Sequence, residues 1–176
     1  MLRRIGHTPL YPFLFAAFPV LALLGNNIHE VNPEVALRSL VISLGGAFII
    51  LLVARLILGS WSKAALGATL LLLLFFSYGH LYSLLKDLGG VALQLARHRY
   101  LVPAFLLIAG AGILLIWKAK LSPGITTALN LIMLLMLVYP SYQTINALLT
   151  VEVIGSREAA ALAAPENLMI ESPTSP

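Results

Sequence analysis

The chain has 176 residues, of which 60% are hydrophobic and only 10% charged, whereas a soluble domain carries roughly 25% charged residues. Its apolar residues fall in long uncharged runs, which indicates membrane spans and excludes an ordinary soluble domain. The lack of cysteine excludes disulfides, thiolate metal sites and a cysteine nucleophile. The net charge of +4 does not predict a nucleic-acid partner, because the basic residues flank apolar runs and form no stripe.

The first apolar run, residues 10–25, follows a short basic start that contains Arg3 and Arg4. It is slightly short for a span of ~20 residues, and the internal Pro19 predicts a kink. A basic start before an apolar run is also typical of a signal peptide, but the prolines and the lack of an Ala-x-Ala pattern before Asn26 argue against cleavage. We therefore count this run as the first of five predicted transmembrane helices.

Four further runs predict the rest of an all-α membrane bundle. Arg38 and Arg55 stand near the two ends of the second run, from where long side chains reach opposite interfaces. After the third run, apolar residues with helical spacing predict a short interfacial helix, which the pair Gly89-Gly90 weakens. The transmembrane domain, residues 1–149, has predicted spans at 10–25, 36–58, 64–85, 100–117 and 125–149. Residues 150–176 predict a polar linker or disordered tail, with one or two helical turns over 156–164.

Small residues within the second and third spans predict that helices approach closely there. Two stretches carry them: Ser43, Gly45, Gly46 and Ala47 in the second span, and Ala64, Gly67 and Ala68 in the third. Gly45-Gly46 lacks the spacing of a dinucleotide-binding loop and no strand precedes it. These stretches therefore indicate packing and no phosphate-binding loop.

The charges that flank the spans predict the orientation. With the amino terminus in the cytoplasm, the inner segments hold most of the basic residues by a narrow margin, and all seven acidic residues fall outside. Trp61 and Trp117 then mark the inner boundary, and most tyrosines lie towards the outer one, at depths that amphipathic rings prefer. We predict a multi-pass protein of the cell (inner or plasma) membrane, with a cytoplasmic N-terminus and a periplasmic or extracellular C-terminus.

Polar side chains collect near the predicted outer face. Arg38 opens the second span, His80 and Tyr82 close the third, and Gln143 and Asn146 close the fifth. These five residues are the candidate site, a pocket that would hold a lipid head group or another anionic group through Arg38. Interfacial anchoring and interhelical hydrogen bonds of ~0.6 kcal/mol each explain the same residues without a ligand, and anchoring is the commoner use of such residues at this depth.

No complete catalytic or metal site is visible in the sequence. His80 has no second histidine or carboxylate at the spacing that a metal site requires. The Gly-x-Ser-x-Gly, His-Glu-x-x-His and Walker patterns are absent. Asp87 is the only aspartate, so no pair of carboxylates lies deep in the membrane, as a proton-coupled transporter requires. We expect no cofactor, no metal and no catalysis by this chain alone.

Two stretches of the sequence resemble the membrane region of bacterial sulfatase-like hydrolase/transferases of the alkaline phosphatase superfamily. They are PLYPFLFAAFPVLALLGNNIHEV at residues 9–31 and LLLLLFFSYGHLYSLL at residues 70–85. Lipoteichoic-acid-synthase-like enzymes of this group place about five helices before an extracellular catalytic domain. The resemblance, over roughly residues 9–150, implies a membrane domain. The metal-binding acids and histidines and the nucleophile of that family belong to a domain that is missing here, so no catalytic residue is carried over.

Three functions therefore stay open. The first is a non-catalytic membrane anchor or membrane domain of a sulfatase-like envelope enzyme, with a periplasmic or extracellular catalytic domain as its partner. The second is a small structural subunit of a larger membrane complex. The third is a small transporter or lipid-head-group-binding protein that uses the outer polar residues. All three place the chain in the lipid bilayer, and none involves nucleic acid.

Overall fold

The computed structural model describes residues 8–27 and 33–163, and these form six α-helices without a strand. The all-α fold predicted from the sequence is confirmed. In chain order the helices are α1 (Tyr11–Asn26), α2 (Pro33–Leu58), α3 (Trp61–Leu88), α4 (Gly90–Leu95), α5 (His98–Lys118) and α6 (Pro123–Ala163).

Four helices of the described chain are long and apolar enough to cross a membrane, where the sequence predicted five spans. The spanning segments are Glu34–Leu58, Trp61–Leu88, His98–Lys118 and Gly124–Asn146. The predicted first span is the shorter α1, whose 16 residues rise about 24 Å against a hydrocarbon thickness of ~30 Å. Its length is set by Pro12 in the first turn and by Asn27, whose side chain and backbone N–H donate to the last carbonyls of the helix.

The short helix α1 lies at the centre of the bundle. It packs against α2, α3 and α6, and Tyr11, Pro12 and Ala16 are almost completely buried. Two apolar clusters surround it. They comprise Tyr11, Leu51, Ala54, Leu58, Ala64, Ala65, Ala68 and Ile116 near its start, and Phe15, Ala16, Ala47 and Leu72 further along.

Small residues make the close helix contacts, as predicted for the third span and in part for the second. Ala47, Ala64 and Ala68 have no exposed surface. A side chain at Gly67 would lie 3.1 Å from both Leu58 and Ile113. Gly45 and Gly46, in contrast, face open space. Because hydrocarbon offers no hydrophobic driving force between helices, this close approach of small residues is the main source of packing energy.

Large apolar side chains cover the outer faces of the long helices. Leu56 on α2 is 86% exposed, Leu107 on α5 74%, and Phe75 on α3 72%. A soluble protein rarely exposes such continuous apolar surface. These faces are consistent with a helical bundle surrounded by lipid tails.

The helices alternate between two ends of the bundle. At the tryptophan end, which holds Trp61 and Trp117, the Tyr11 hydroxyl donates to the Ser62 carbonyl (3.4 Å) and Lys63 Nζ donates to the Trp117 carbonyl. At the opposite end, the end of α3 meets the start of α5. We call this the tyrosine end, because it holds Tyr78 and Tyr82 of α3, Tyr100 of α5, and Tyr139 and Tyr142 of α6. The two tryptophans thus share one end, as the sequence predicted.

The last helix continues beyond its apolar segment. The spanning segment of α6 stops at Asn146, and the predicted span at Leu149, yet the helix runs to Ala163 as one element of 41 residues. At 1.5 Å per residue the part after Asn146 rises about 25 Å. The run Glu158-Ala-Ala-Ala-Leu-Ala163 consists of strong helix formers, and the helical turns predicted over 156–164 are confirmed as far as Ala163, as the end of this helix. The predicted tail beyond residue 163 lies outside the described residues.

Candidate functional site

The five residues of the predicted polar pocket lie on three helices near the tyrosine end, and the described contacts do not join them into one site. Arg38 on α2 forms an ion pair with Glu34 one turn earlier (3.9 Å), and both side chains are 78% exposed. Gln143 on α6 donates to the Tyr139 hydroxyl (2.8 Å). Asn146 is exposed, and only its backbone carbonyl takes part in a described hydrogen bond, from Thr150.

His80 and Tyr82 point to different sides of α3. Successive residues are rotated by ~100° around a helix, so Tyr78 and Tyr82 share a face, whereas His80 lies on the opposite side. His80 is exposed, and no hydrogen bond of its side chain is found in the described part of the chain. Tyr82 instead stacks on His98, the first residue of α5, with ring centroids 4.9 Å apart and planes 9° apart.

His98, and not His80, therefore forms the aromatic and hydrogen-bond contacts at this end of α3. Its Nδ1 shares a 2.5 Å hydrogen bond with the Tyr78 hydroxyl, and Phe105 packs edge-on against the Tyr78 ring at 5.2 Å. Lys86 Nζ lies 5.4 Å from the centre of the Tyr82 ring on α3. The i, i+4 spacing of Tyr78 and Tyr82 is a sequence signal for a shared aromatic face, but their partner on α5 is set by the α3–α5 contact.

A cleft of ≈ 350 Å³ lies beside these rings, between the end of α3, α4 and the start of α5. We call it the α4 cleft; its lining residues are Tyr82, Lys86, Leu93, Ala96, Arg97 and His98. Two of them, Lys86 and Arg97, are cations, and no lining residue is acidic. The predicted short helix between the third and fourth spans is confirmed as α4. Gly89 (φ 65°), the residue before the helix, and Gly90 (φ 55°), its first residue, both have positive φ, which permits the sharp turn out of α3.

A second polar region holds the start of α1. Asn130, in the middle of the apolar segment of α6, accepts hydrogen bonds at Oδ1 from the backbone N–H groups of Leu10 (3.0 Å) and Tyr11 (2.9 Å). Its Nδ2 donates to the Thr8 carbonyl (2.8 Å). The first N–H groups of a helix lack partners within the helix, so Asn130 acts as a cap supplied by a neighbouring helix. Asn130 was not among the residues predicted from the sequence, although an amide side chain inside an apolar run is a recognisable sign of a hydrogen bond between helices.

Two hydroxyl groups hold α1 further along its length. Ser43 on α2 donates to the Ala16 carbonyl (2.7 Å), and Thr144 on α6 donates to the Leu21 carbonyl (3.2 Å). The first bond lies beside the place where Pro19 lacks the N–H that would bind the Phe15 carbonyl. Hydroxyl side chains of adjacent helices commonly satisfy backbone groups near a proline in a membrane helix.

The chemistry available to the described residues is limited to hydrogen bonding, stacking and charge attraction. No group of three or more histidine, cysteine or acidic residues there could hold a metal ion. The polar groups at α1 are engaged in helix contacts. Of four cavities in the described part of the chain, the α4 cleft is the one lined by cationic side chains.

Comparison with known proteins yields no relative of this chain. The sequence matches no family model, and no curated protein or solved structure is significantly similar to it. The function therefore has to be inferred from the residues and from their arrangement in the bundle.

Proposed function

We propose that this chain is a non-catalytic membrane domain that anchors a soluble domain or partner beyond the tyrosine end of the bundle. The observation that carries this proposal is the length of α6. The helix begins within the bundle, spans the apolar zone and continues to Ala163 without a break. A chain that only had to cross the bilayer would need no helix of this length, since ~20 residues are enough.

The attachment of α6 to the bundle supports a role in holding an attached domain at a fixed position. Where the helix leaves its apolar segment, Thr144 binds the Leu21 carbonyl, and the side chain of Gln143 packs against Gly25 of α1. Pro140 is completely buried just before this point. The helix is thus fixed to the central element of the fold, so that its last ~25 Å would hold an attached domain at a defined distance from the membrane.

The resemblance to sulfatase-like hydrolase/transferases specifies the attached partner in this proposal. In that family about five helices precede an extracellular catalytic domain. The central α1 and the four spanning helices fit that plan, with the tyrosine end facing the periplasm or the cell exterior. Catalysis would then belong to the partner domain, and this chain would supply its location.

The proposal is tested by the side of the membrane that the C-terminus reaches and by the stiffness of α6. A reporter enzyme that is active only outside the cytoplasm, fused after Pro176, should be active, and a reporter that fluoresces only in the cytoplasm should be dark. The coding sequence after Pro176, in frame or as the next gene, should encode a phosphatase-like or sulfatase-like domain. A cytoplasmic C-terminus would contradict the proposal.

Stiffness is measurable because the chain has no native cysteine. Spin labels at Tyr142→Cys and Ala160→Cys, five helical turns apart, should give a narrow distance distribution near ~27 Å. A broad distribution would show a flexible linker and would remove the structural basis for an anchor of fixed length. The same labels at Ile125→Cys and Ser141→Cys, within the membrane segment, provide the rigid reference.

A further inference from the structure

We propose that the α4 cleft binds the phosphate group of an anionic membrane lipid. The cleft is formed by Lys86 of α3, Leu93 of α4, and Arg97 and His98 at the start of α5, with Tyr82 and Ala96 completing it. This inference does not depend on the anchor function, because a lipid site can serve any membrane protein. It shares only Tyr82 with the pocket predicted around Arg38.

The charge of the cleft selects an anion. Lys86 and Arg97 both line it, and the only acidic residue close by in sequence, Asp87, does not. The helix dipole adds to this charge, since Arg97 occupies the N-cap position of α5 and no side chain caps the free N–H groups of the first turn. Cationic side chains combined with the N-terminus of a helix form a common phosphate-binding arrangement.

Aromatic rings position one of the two cations, Lys86, at the edge of the cleft. Lys86 Nζ lies over the Tyr82 ring at 5.4 Å, and this ring is stacked on His98. The hydrogen bond between the Tyr78 hydroxyl and His98 Nδ1 fixes the stack to α3. A cleft that is ordered before the ligand arrives loses less conformational entropy on binding.

The depth of the cleft indicates a lipid rather than a free phosphate ion. The 28 residues of α3 rise about 42 Å, so that its last turns lie outside a ~30 Å hydrocarbon core. Leu93, which lines the cleft, is 49% exposed, and Leu88, Val91 and Leu95 on the other side of this segment are exposed at 66%, 79% and 53%, as in a short helix whose apolar side chains lie at the boundary of the acyl chains. A ligand that contacts both Leu93 and the cations has a phosphate next to an acyl chain.

The test compares two double variants with the same change in net charge. Lys86→Gln/Arg97→Gln removes the two cations of the cleft. Arg38→Gln/Arg99→Gln removes two cations from the same end of the bundle that do not line the cleft. Binding of short-chain phosphatidylglycerol to the purified full chain in neutral detergent would be measured at physiological salt, with phosphatidylcholine and inorganic phosphate as alternative ligands.

We expect the cleft variant to bind phosphatidylglycerol about 25-fold more weakly, or about fivefold for each cation removed, and the control variant to change less than threefold. Phosphatidylcholine and inorganic phosphate should bind much more weakly to the unmodified chain. Equal losses in the two double variants, equal binding of the zwitterionic lipid, or tight binding of inorganic phosphate would each overturn the proposal. Lys86→Gln alone repeats the test if the double variant is poorly folded.

Discussion

Two contacts between helices in this bundle are stabilised in different ways. We call the contacts of α1 with α2 and α6 the α1 seam, and the contact of α3 with α5 the α5 seam. Polar bonds are distributed along the α1 seam, from Asn130 through Ser43 to Thr144. Between the described residues of the α5 seam, the hydrogen bonds lie at the two ends, at Lys63 and at Tyr78, and the cavity between these ends is lined mainly by apolar residues.

The difference follows from how well each helix satisfies its own backbone. α1 is short, contains Pro19, and has no side-chain cap of its own at its N-terminus. Since hydrocarbon offers no hydrogen-bond partner, neighbouring helices must provide partners for its unpaired groups. The helices of the α5 seam are longer, and they meet through small residues such as Gly67 and Gly112. An irregular helix in a membrane therefore depends on its neighbours more than a regular one does.

The largest effect should come from Asn130→Leu in the α1 seam. The substitution removes two hydrogen bonds to the start of α1 and one to Thr8, and it leaves the partly buried N–H group of Tyr11 without this partner. We expect a loss of about 2 kcal/mol in the free energy of unfolding, measured by reversible denaturation in mixed detergent micelles. Asn146→Leu, at an exposed position on the same helix, is the control and should change stability by less than about 0.5 kcal/mol.

A smaller loss should follow from filling the space between α1 and α6. A Cβ at Gly25 would stand 3.0 Å from Gln143 Cβ and 3.3 Å from the Thr144 hydroxyl, whereas a Cβ at Gly45 would meet nothing within 4 Å. Gly25→Ala should cost about 1–2 kcal/mol through overpacking. Gly45→Ala should be neutral or stabilising, because alanine is the better helix former. Equal changes in the two variants would show that α1 and α6 are not in close contact.

Loss of one interhelical hydrogen bond should have a modest effect. Ser43→Ala removes the bond to the Ala16 carbonyl on α1, and Ser39→Ala removes a bond to Val35 within the same helix. The first substitution should cost ~0.6 kcal/mol, because its bond joins two helices. The second should cost nothing measurable, because its bond stays within one helix. A cost for Ser39→Ala equal to that of Ser43→Ala would contradict the importance of the contact between helices.

The smallest effect should be that of Gly112→Ala in the α5 seam. An added Cβ would collide with a terminal methyl of Leu70. That side chain lines an open cavity of ≈ 380 Å³ between α3 and α5 and can rotate into it. We expect a cost of no more than about 0.5 kcal/mol, with Gly110→Ala, which faces open space, as the matched control. A cost as large as that of Gly25→Ala would mean that the α5 seam is as tightly constrained as the α1 seam.

The sequence predicted the features that depend on one helix at a time. Long uncharged runs predict α2, α3, α5 and the apolar part of α6, and helical spacing predicts α4. The hydrogen bonds from Asn130 to the start of α1 join residues more than 100 positions apart in the sequence. The stacking of His98 joins residues about 20 positions apart. The hydrophobic pattern of a single helix does not predict such pairs. His80 illustrates this limit of the prediction. Its position in a polar stretch was clear from the sequence, but the prediction did not consider the face of α3 on which it lies.

The extension of α6 was predicted only in part, as one or two separate helical turns over 156–164. The end of an apolar run marks where a helix leaves the hydrocarbon, and it does not mark where the helix ends. The helix continues through the weaker helix formers of residues 150–156 and joins the run Glu158–Ala163, which is rich in alanine. Hydropathy thus located the membrane segment of α6 and underestimated the helix.

The most direct test of the membrane-domain proposal is the sidedness of single cysteines introduced into this cysteine-free chain. Thr8→Cys, Ser60→Cys and Lys120→Cys should react with an impermeant thiol reagent only from the cytoplasmic side, and Gln94→Cys and Ser172→Cys only from the opposite side. This result would establish that α1 crosses the bilayer despite its 16 residues and that α6 carries the chain outward. Labelling of Thr8→Cys from the side opposite to Ser60→Cys, or of Ser172→Cys from the side of Lys120→Cys, would contradict the proposal.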